Sequence, residues 1–523
     1  MQNNSNSELE VLDAKLESLA LKKDFLSMIP LLDDVIKNYS DNFSYFFQLA
    51  TCHMHLNNNE LAIKFFIKSI DKENNFLPSY VFLTDVLVAE SSKNPIFANK
   101  AIHYLLSALE LDNGNKDILY KLASMQLRTR EYDKAKQNFL ILRNLEPANV
   151  SYVYKLAQCY STMGRGIEAI SLIDKFIKEN KPYLNLFEQI GFAFYSIKKY
   201  KEAIDIYKKI LNDPGIDSSP EIKVLTYQNI LQTFKQQNDE LFKQQNDDLF
   251  YDEYLSYSND ALSLYPNNFS IQKHSLLLNI YLKKEESCKS KIEFLNLSHP
   301  YDRDIASFNL YLSSQYDSIK ISNFCPEPFK LIKKYNVKDF NSGADMMISS
   351  IVEYIEGAQK LKNAPFKTDI GGTRTLKNLF DVEESFFSEI FQDIQLILQS
   401  YIQDTSKEKS CIFLNDLIQD FNISAWSMIA DKDTFHISHN HCEAWISGVL
   451  YLDVPKDLND QEGSIYFNKF GNGFPVLVDS ESKTFVPEKG DIILFPAHLY
   501  HSTKSHNKAG KRICMPFNLI PKR

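Results

Sequence analysis

A period of 34 residues constrains this chain more than any other feature. Small residues stand at Ala101, Ala135, Ala169 and Ala203, each 34 positions from the next. Ala123, Ala157 and Gly191 precede the last three of these by twelve residues, and Ala50 with Ala62 keeps the same offset. A five-residue insertion around Ser91-Ser-Lys-Asn-Pro separates that early pair from the next unit. A period of this length with two apolar-patterned stretches describes a pair of amphipathic helices, with a small residue wherever the helices cross closely. One such pair cannot bury its apolar face alone, so consecutive pairs stack into an array.

The residues around the small positions also repeat. Tyr120-Lys-Leu-Ala-Ser-Met, Tyr154-Lys-Leu-Ala-Gln-Cys-Tyr and Phe187-Glu-Gln-Ile-Gly-Phe-Ala-Phe-Tyr open units, while Glu131-Tyr-Asp-Lys-Ala and Lys199-Tyr-Lys-Glu-Ala open second helices. Over roughly residues 8 to 300 the pattern resembles the tetratricopeptide repeat family. We therefore expect residues 1–300 to be an all-α solenoid, with a weaker unit at 252–284. Near 234–250 an insertion repeats itself, Phe234-Lys-Gln-Gln-Asn-Asp-Glu-Leu followed by Phe242-Lys-Gln-Gln-Asn-Asp-Asp-Leu, and should lengthen one connection between helices. Arrays of this kind serve as spacers or oligomerisation surfaces, or present a concave groove to a peptide or partner protein. The second use is the expectation here.

Charge narrows the partners. Against 58 Lys and Arg stand 67 Asp and Glu, a net charge of -9, which offers no general attraction to nucleic acid. No uncharged run reaches the ~20 residues of a membrane helix. The polar start Met1-Gln-Asn-Asn-Ser-Asn-Ser has no apolar signal core. Seven scattered cysteines without a Cys-x-x-Cys pair read as reduced thiols, so a cytoplasmic protein without a membrane or nucleic-acid partner is expected.

Past residue 318, after a linker at 301–317, the period changes. Ile319–Phe324 and Phe421–Ile429 alternate as strands do, 345–357 and 383–401 read as helices, and short strands follow at 445–452, 464–467, 482–486, 491–495 and 511–517. Such a run suggests a jelly roll with helices packed outside it. Six of the eleven histidines fall between 436 and 506. On a strand, His439, His441 and Glu443 project from one face, so two of them can reach one metal, and His501 can arrive from an opposing strand. Three protein ligands with open positions are the arrangement that activates dioxygen on iron(II). Arg512 supplies a bidentate fork for a carboxylate.

Residues 318–523 resemble the 2-oxoglutarate and iron(II)-dependent oxygenases that occur fused behind tetratricopeptide repeats, a prolyl hydroxylase-like superfamily. The resemblance lies in Gly371-Gly-Thr-Arg-Thr, Ser424-Ala-Trp-Ser, Phe435-His-Ile-Ser-His-Asn-His with Trp445-Ile-Ser-Gly, Gly490-Asp-Ile-Ile-Leu-Phe-Pro with His501, and Arg512 with Phe517-Asn. It implies a double-stranded β-helix that hydroxylates a substrate with iron(II), dioxygen and 2-oxoglutarate as cosubstrate. It makes His439 and His501 iron ligands, has Arg512 grip the 2-oxoglutarate tail, and has Tyr451 add a hydroxyl to that carboxylate. No catalytic residue beyond the metal ligands is implied. The wider superfamily has a carboxylate where His441 stands. Either three imidazoles bind the iron or Glu443 supplies the carboxylate, and the His-x-His of the fused-repeat relatives favours His441.

Other residues carry plainer readings. His436, His498 and His506 read as core or surface histidines, and Cys442 as an inert thiol pointing away from the ligands. Trp426 and Trp445 read as core aromatics or, with Arg374 near a turn at the cleft mouth, as substrate contacts. The alternatives to a hydroxylase of a protein or peptide are a tetratricopeptide scaffold whose jelly roll only holds a metal, and a cupin-like metalloenzyme that does not use 2-oxoglutarate. Neither needs a cation at position 512.

Overall fold

The computed structural model describes residues 2–39, 42–91, 96–180, 183–241, 248–358, 360–362, 369–370, 372–375, 378–416, 421–456, 458 and 461–521. The chain divides into two compact units, residues 1–159 and 160–522. No described helix is long and apolar enough to cross a membrane.

The first unit consists of helices taken in pairs, among them Phe43–His55 with Asn59–Lys72 and Lys116–Arg128 with Tyr132–Leu145. The periodic small residues do what the spacing requires. Ala50, Ala62, Ala101, Ala123 and Ala135 are fully buried, and Phe66, Leu83, Leu105 and Leu122 share one core cluster with the first three. A second periodicity, unread in the sequence, lies in the turns. Lys23, Asn57 and Arg130 here, and Gly164, Lys198 and Lys283 in the second unit, adopt positive φ two residues after the first helix of a pair. Each ends its helix through the left-handed residue that frees the chain to reverse.

The second unit opens with more helices, and the close crossing reaches its limit at Gly191, where any Cβ would overlap the ring of Tyr207. The first copy of the duplication lies within the helix Pro220–Leu241, whose Phe234 is buried against Tyr254. Residues 242–247 of the second copy lie outside the described residues. Two expectations change. The stretch expected as a linker at 301–317 holds the helix Arg303–Gln315, buried along most of its length. Ile319–Phe324, expected as a strand, is irregular, because its carbonyls at Asn323 and Phe324 accept from the amides of Ile412 and Phe413 rather than from a sheet.

Among the described residues thirteen strands follow: β1 (Lys333–Asn336), β2 (Lys360–Lys362), β3 (Asp369–Ile370), β4 (Thr373–Thr375), β5 (Phe421–Ala425), β6 (Met428–Ala430), β7 (Phe435–His439), β8 (Ile446–Asp453), β9 (Ile465–Asn468), β10 (Lys483–Phe485), β11 (Asp491–Pro496), β12 (Tyr500–Thr503) and β13 (Arg512–Pro521). They form two antiparallel sheets. The larger has the order β1-β11-β8-β13-β6-β4-β2 with β5 also on β13, and the smaller has β10-β9-β12-β7-β3. The resulting fold is a helical solenoid region followed by a jelly-roll β domain with flanking helices. β8, β11 and β13 are apolar on both faces because both are covered. Outward, Leu450, Leu494, Met515 and Phe517 pack against the helices Ala344–Gly357 and Ser385–Thr405 through Ile348, Ile351, Ile390 and Ile397. Inward, Val449, Tyr451, Ile493, Phe495 and Cys514 meet Ile465 and Phe467 of the smaller sheet. The candidate ligands sit beside this inner layer.

Candidate metal centre

His439 ends β7 and His501 lies on β12 as its direct cross-strand partner, with ring centroids 4.3 Å apart. His441 completes the group, its ring 5.0 Å from that of His439 and 5.1 Å from that of His501. One nitrogen from each can be chosen so that all three lie within 4.8 Å of one another. His441 is not on a strand, contrary to the one-face expectation. β7 stops at His439, and His441 occupies the following turn, where its amide donates to Ala497 O at 2.9 Å.

The rings are prepared as ligands. Nδ1 of His439 lies 2.8 Å from Ile437 O and Nδ1 of His501 lies 3.2 Å from Leu499 O. Donation from Nδ1 leaves Nε2 with its lone pair for a cation. Burial first, and then the neighbouring His441, lowers the His439 pKa to about 3. Burial and then His439 hold His501 well below its ordinary value. Both rings are therefore neutral at pH 7, the form a metal requires. Glu443 stands outside the cluster. Its side chain is 60% exposed, its Oε1 accepts from Asn518 Nδ2 at 3.0 Å, and that same oxygen is 3.8 Å from His441 Nδ1.

Arg512 begins β13 and is buried, with 1% of its surface exposed. Nη1 donates to Gly463 O at 2.8 Å and Nη2 to Thr503 Oγ1 at 3.3 Å, while Nε has no partner. Among the described residues no carboxylate pairs with it. A buried guanidinium stays charged and costs several kcal/mol unless an anion answers it. Thr503 lies two residues beyond His501, about 7 Å along the strand. Tyr451 shares the inward layer. Burial raises its phenol well above the ordinary value, with the Arg512 charge pulling the other way. The donor set thus fits both a metal ion and a carboxylate beside it.

The remaining candidates separate. Trp426 is half-buried, its ring 5.8 Å from that of His441 and 4.9 Å from the Arg374 guanidinium carbon. Arg374 lies on β4 rather than in a turn, opposite Met428 of β6. Trp445 is a core aromatic instead of a cleft residue, stacked on Phe413 at 5.7 Å with Nε1 donating to Phe413 O at 3.1 Å. His498 is buried in the same aromatic core, 5.0 Å from Phe324. Cys442 is half-buried with Sγ 3.8 Å from Ser307 Oγ.

The sequence reading missed His436. His501 pairs with His439 and Thr503 with His436, so β7 has one residue more than β12 between these pairs. That bulge turns His436 toward the site, its ring 6.1 Å from that of His439, where a regular strand would face it away. Its pKa is held well below the usual value by burial and then by His439, Arg512 and Arg374. No period-two pattern signals a bulge in advance.

Residues 424–518, which carry the three candidate ligands His439, His441 and His501, match the family described as "Putative 2OG-Fe(II) oxygenase". No curated protein matches the chain. Among solved structures it is similar to a tetratricopeptide repeat protein from Parabacteroides merdae, 12% identical over 49% of this chain and 92% of that one, with a TM-score of 0.39. It is also similar to the C-terminal part of a TPR repeat-containing protein from Cytophaga hutchinsonii, 14% identical over 50% of this chain and 98% of that one, with a TM-score of 0.37. The family match thus covers residues 424–518 of the chain, and the likeness to tetratricopeptide repeat structures covers about half of it.

Proposed function

We propose that the chain is an iron(II)- and 2-oxoglutarate-dependent dioxygenase that hydroxylates a protein or peptide, with residues 318–523 as its catalytic domain. The observation that carries this reading is the buried, carboxylate-free Arg512 beside three converging imidazoles, His439, His441 and His501. Bound there, iron(II) and 2-oxoglutarate supply dioxygen activation coupled to loss of carbon dioxide from the keto acid, leaving succinate. The protein contributes binding and exclusion of water. The Arg512 fork with Thr503 takes the distal carboxylate, and Tyr451 adds its hydroxyl. Val449, Ile493 and Phe495 keep that end dry. Glu443 serves His441 from outside the ligand set, and the His441 side of the site, with Trp426 and Arg374, receives the substrate.

The helical repeats bind a protein or peptide partner, the use that stacked helix pairs suit. Seven cysteines without a disulfide support a reducing compartment, the cytoplasm. A second reading, a scaffold that holds a metal without catalysis, draws support from the absence of a carboxylate in the triad. Succinate release from 2-oxoglutarate with added iron(II) and a peptide pool decides between them. Turnover by the wild type that is lost in Arg512→Ala and His501→Ala supports the enzyme. Equal release from all three proteins, or from none, removes it.

A further inference from the structure

His439 and His501 are fixed by the hydrogen bonds of paired strands, whereas His441 sits in a turn and needs another means of support. That support comes from the helix Arg303–Gln315, more than a hundred residues earlier in the chain. Arg303 Nε donates to Cys442 O at 2.5 Å and Nη2 to Glu443 O at 3.4 Å, and its guanidinium carbon lies 5.6 Å from the Trp445 ring centroid. One turn further along the helix, Ser307 Oγ accepts from Asn440 Nδ2 at 2.9 Å and donates to His498 O at 2.6 Å or to Arg303 O at 2.8 Å. The residues on both sides of His441 are thus tied to one helix, while the His441 ring faces the other two histidines.

The helix is itself held firmly. Asp302 caps its first turn by accepting from Ile305 N at 3.0 Å. Tyr311 donates to Pro475 O at 2.7 Å and Gln315 to Val478 O at 3.0 Å, and Phe474 packs among Phe308, Tyr311 and Tyr500. A rigid helix that grips the turn at three points can set the direction of a ligand that no sheet holds.

We propose that Arg303 and Ser307 are positioning residues for the metal site, acting through the 440–443 turn to hold His441 in the ligand set. The inference rests on the metal reading above and extends it to a helix more than a hundred residues before the ligands in the chain. It also makes the helix Arg303–Gln315 necessary for full metal affinity.

Cobalt(II) titration of the full-length protein, followed by visible absorption, tests the proposal with wild type, Arg303→Ala, Ser307→Ala, His441→Ala and the double variant Arg303→Ala/His441→Ala. The expected result is about tenfold weaker binding for each brace variant, with a spectrum moved toward that of His441→Ala. Arg303→Ala adds no further loss once His441 is gone, and Arg303→Lys, which keeps one donor for Cys442 O, recovers part of the affinity. A loss of the same size in both backgrounds means that Arg303 only supports the fold, and overturns the proposal. Wild-type affinity in both brace variants overturns it as well. If the wild type itself binds no cobalt, the metal reading fails first and the two failures are told apart.

Discussion

His439 and His501 face each other as directly paired residues of β7 and β12, so two candidate ligands on separate strands are held by the same ladder of backbone hydrogen bonds. Replacing either imidazole removes a ligand without disturbing that ladder. We expect His439→Ala and His501→Ala each to lower affinity for a divalent metal by at least about a hundredfold, while the melting temperature of the metal-free protein changes little. Isothermal titration together with thermal melts in chelator checks both halves.

Arg512 is a buried charge with no carboxylate partner among the described residues. A hydrophobic residue of similar length relieves the burial of that charge, as replacement of buried ionic groups often does. Arg512→Met should therefore leave the metal-free protein as stable as wild type or more so. The same variant should lose the rise in melting temperature that 2-oxoglutarate gives the metal-loaded wild type. A thermal shift with and without 2-oxoglutarate measures both effects.

The repeats were legible because helix crossings demand small residues, and a side chain too large is excluded wherever it falls. Ala101, Ala135 and Gly191 carried that signal, whereas the left-handed turns at Lys23, Asn57 and Arg130 did not, since only Gly164 marks one with a glycine. On the β side, alternation found the strands, and the three histidines that the structure brings together were legible from their order. What alternation could not foresee was each departure from a regular strand. The bulge that turns His436 inward and the turn that carries His441 depend on pairing with β12 and on bracing by Arg303, contacts distant in sequence. The helix at 303–315 escaped notice although it is buried along most of its length.

Buried histidines away from the metal site make stability depend on pH. Burial lowers His274 to about 4 and His498 to about 3. The unfolded chain takes up their protons near pH 6.5 and the folded chain does not. The stability they contribute is thus full above pH 6.5 and is lost as pH falls toward their folded values. Each contributes a slope of about 1.4 kcal/mol per pH unit between about pH 6 and 4.5. In urea unfolding across that range, His498→Leu should flatten the decline by one histidine's share.

At Gly191 there is no room for a methyl group against Tyr207. Gly191→Ala gains helix propensity of about 1 kcal/mol but must displace a buried ring, so a net loss of about 1–3 kcal/mol is expected. Gly191→Ala combined with Tyr207→Leu should recover much of it. Chemical denaturation of the single and double variants measures the coupling.

Anaerobic iron(II) titration followed by calorimetric titration with 2-oxoglutarate bears most directly on the chemistry assigned to this chain. The expected result is a single iron(II) per chain, lost in His439→Ala/His501→Ala, and 2-oxoglutarate binding to the iron-loaded wild type that disappears in Arg512→Met. Iron retained by the double variant, or 2-oxoglutarate bound equally well without Arg512, would contradict the assignment.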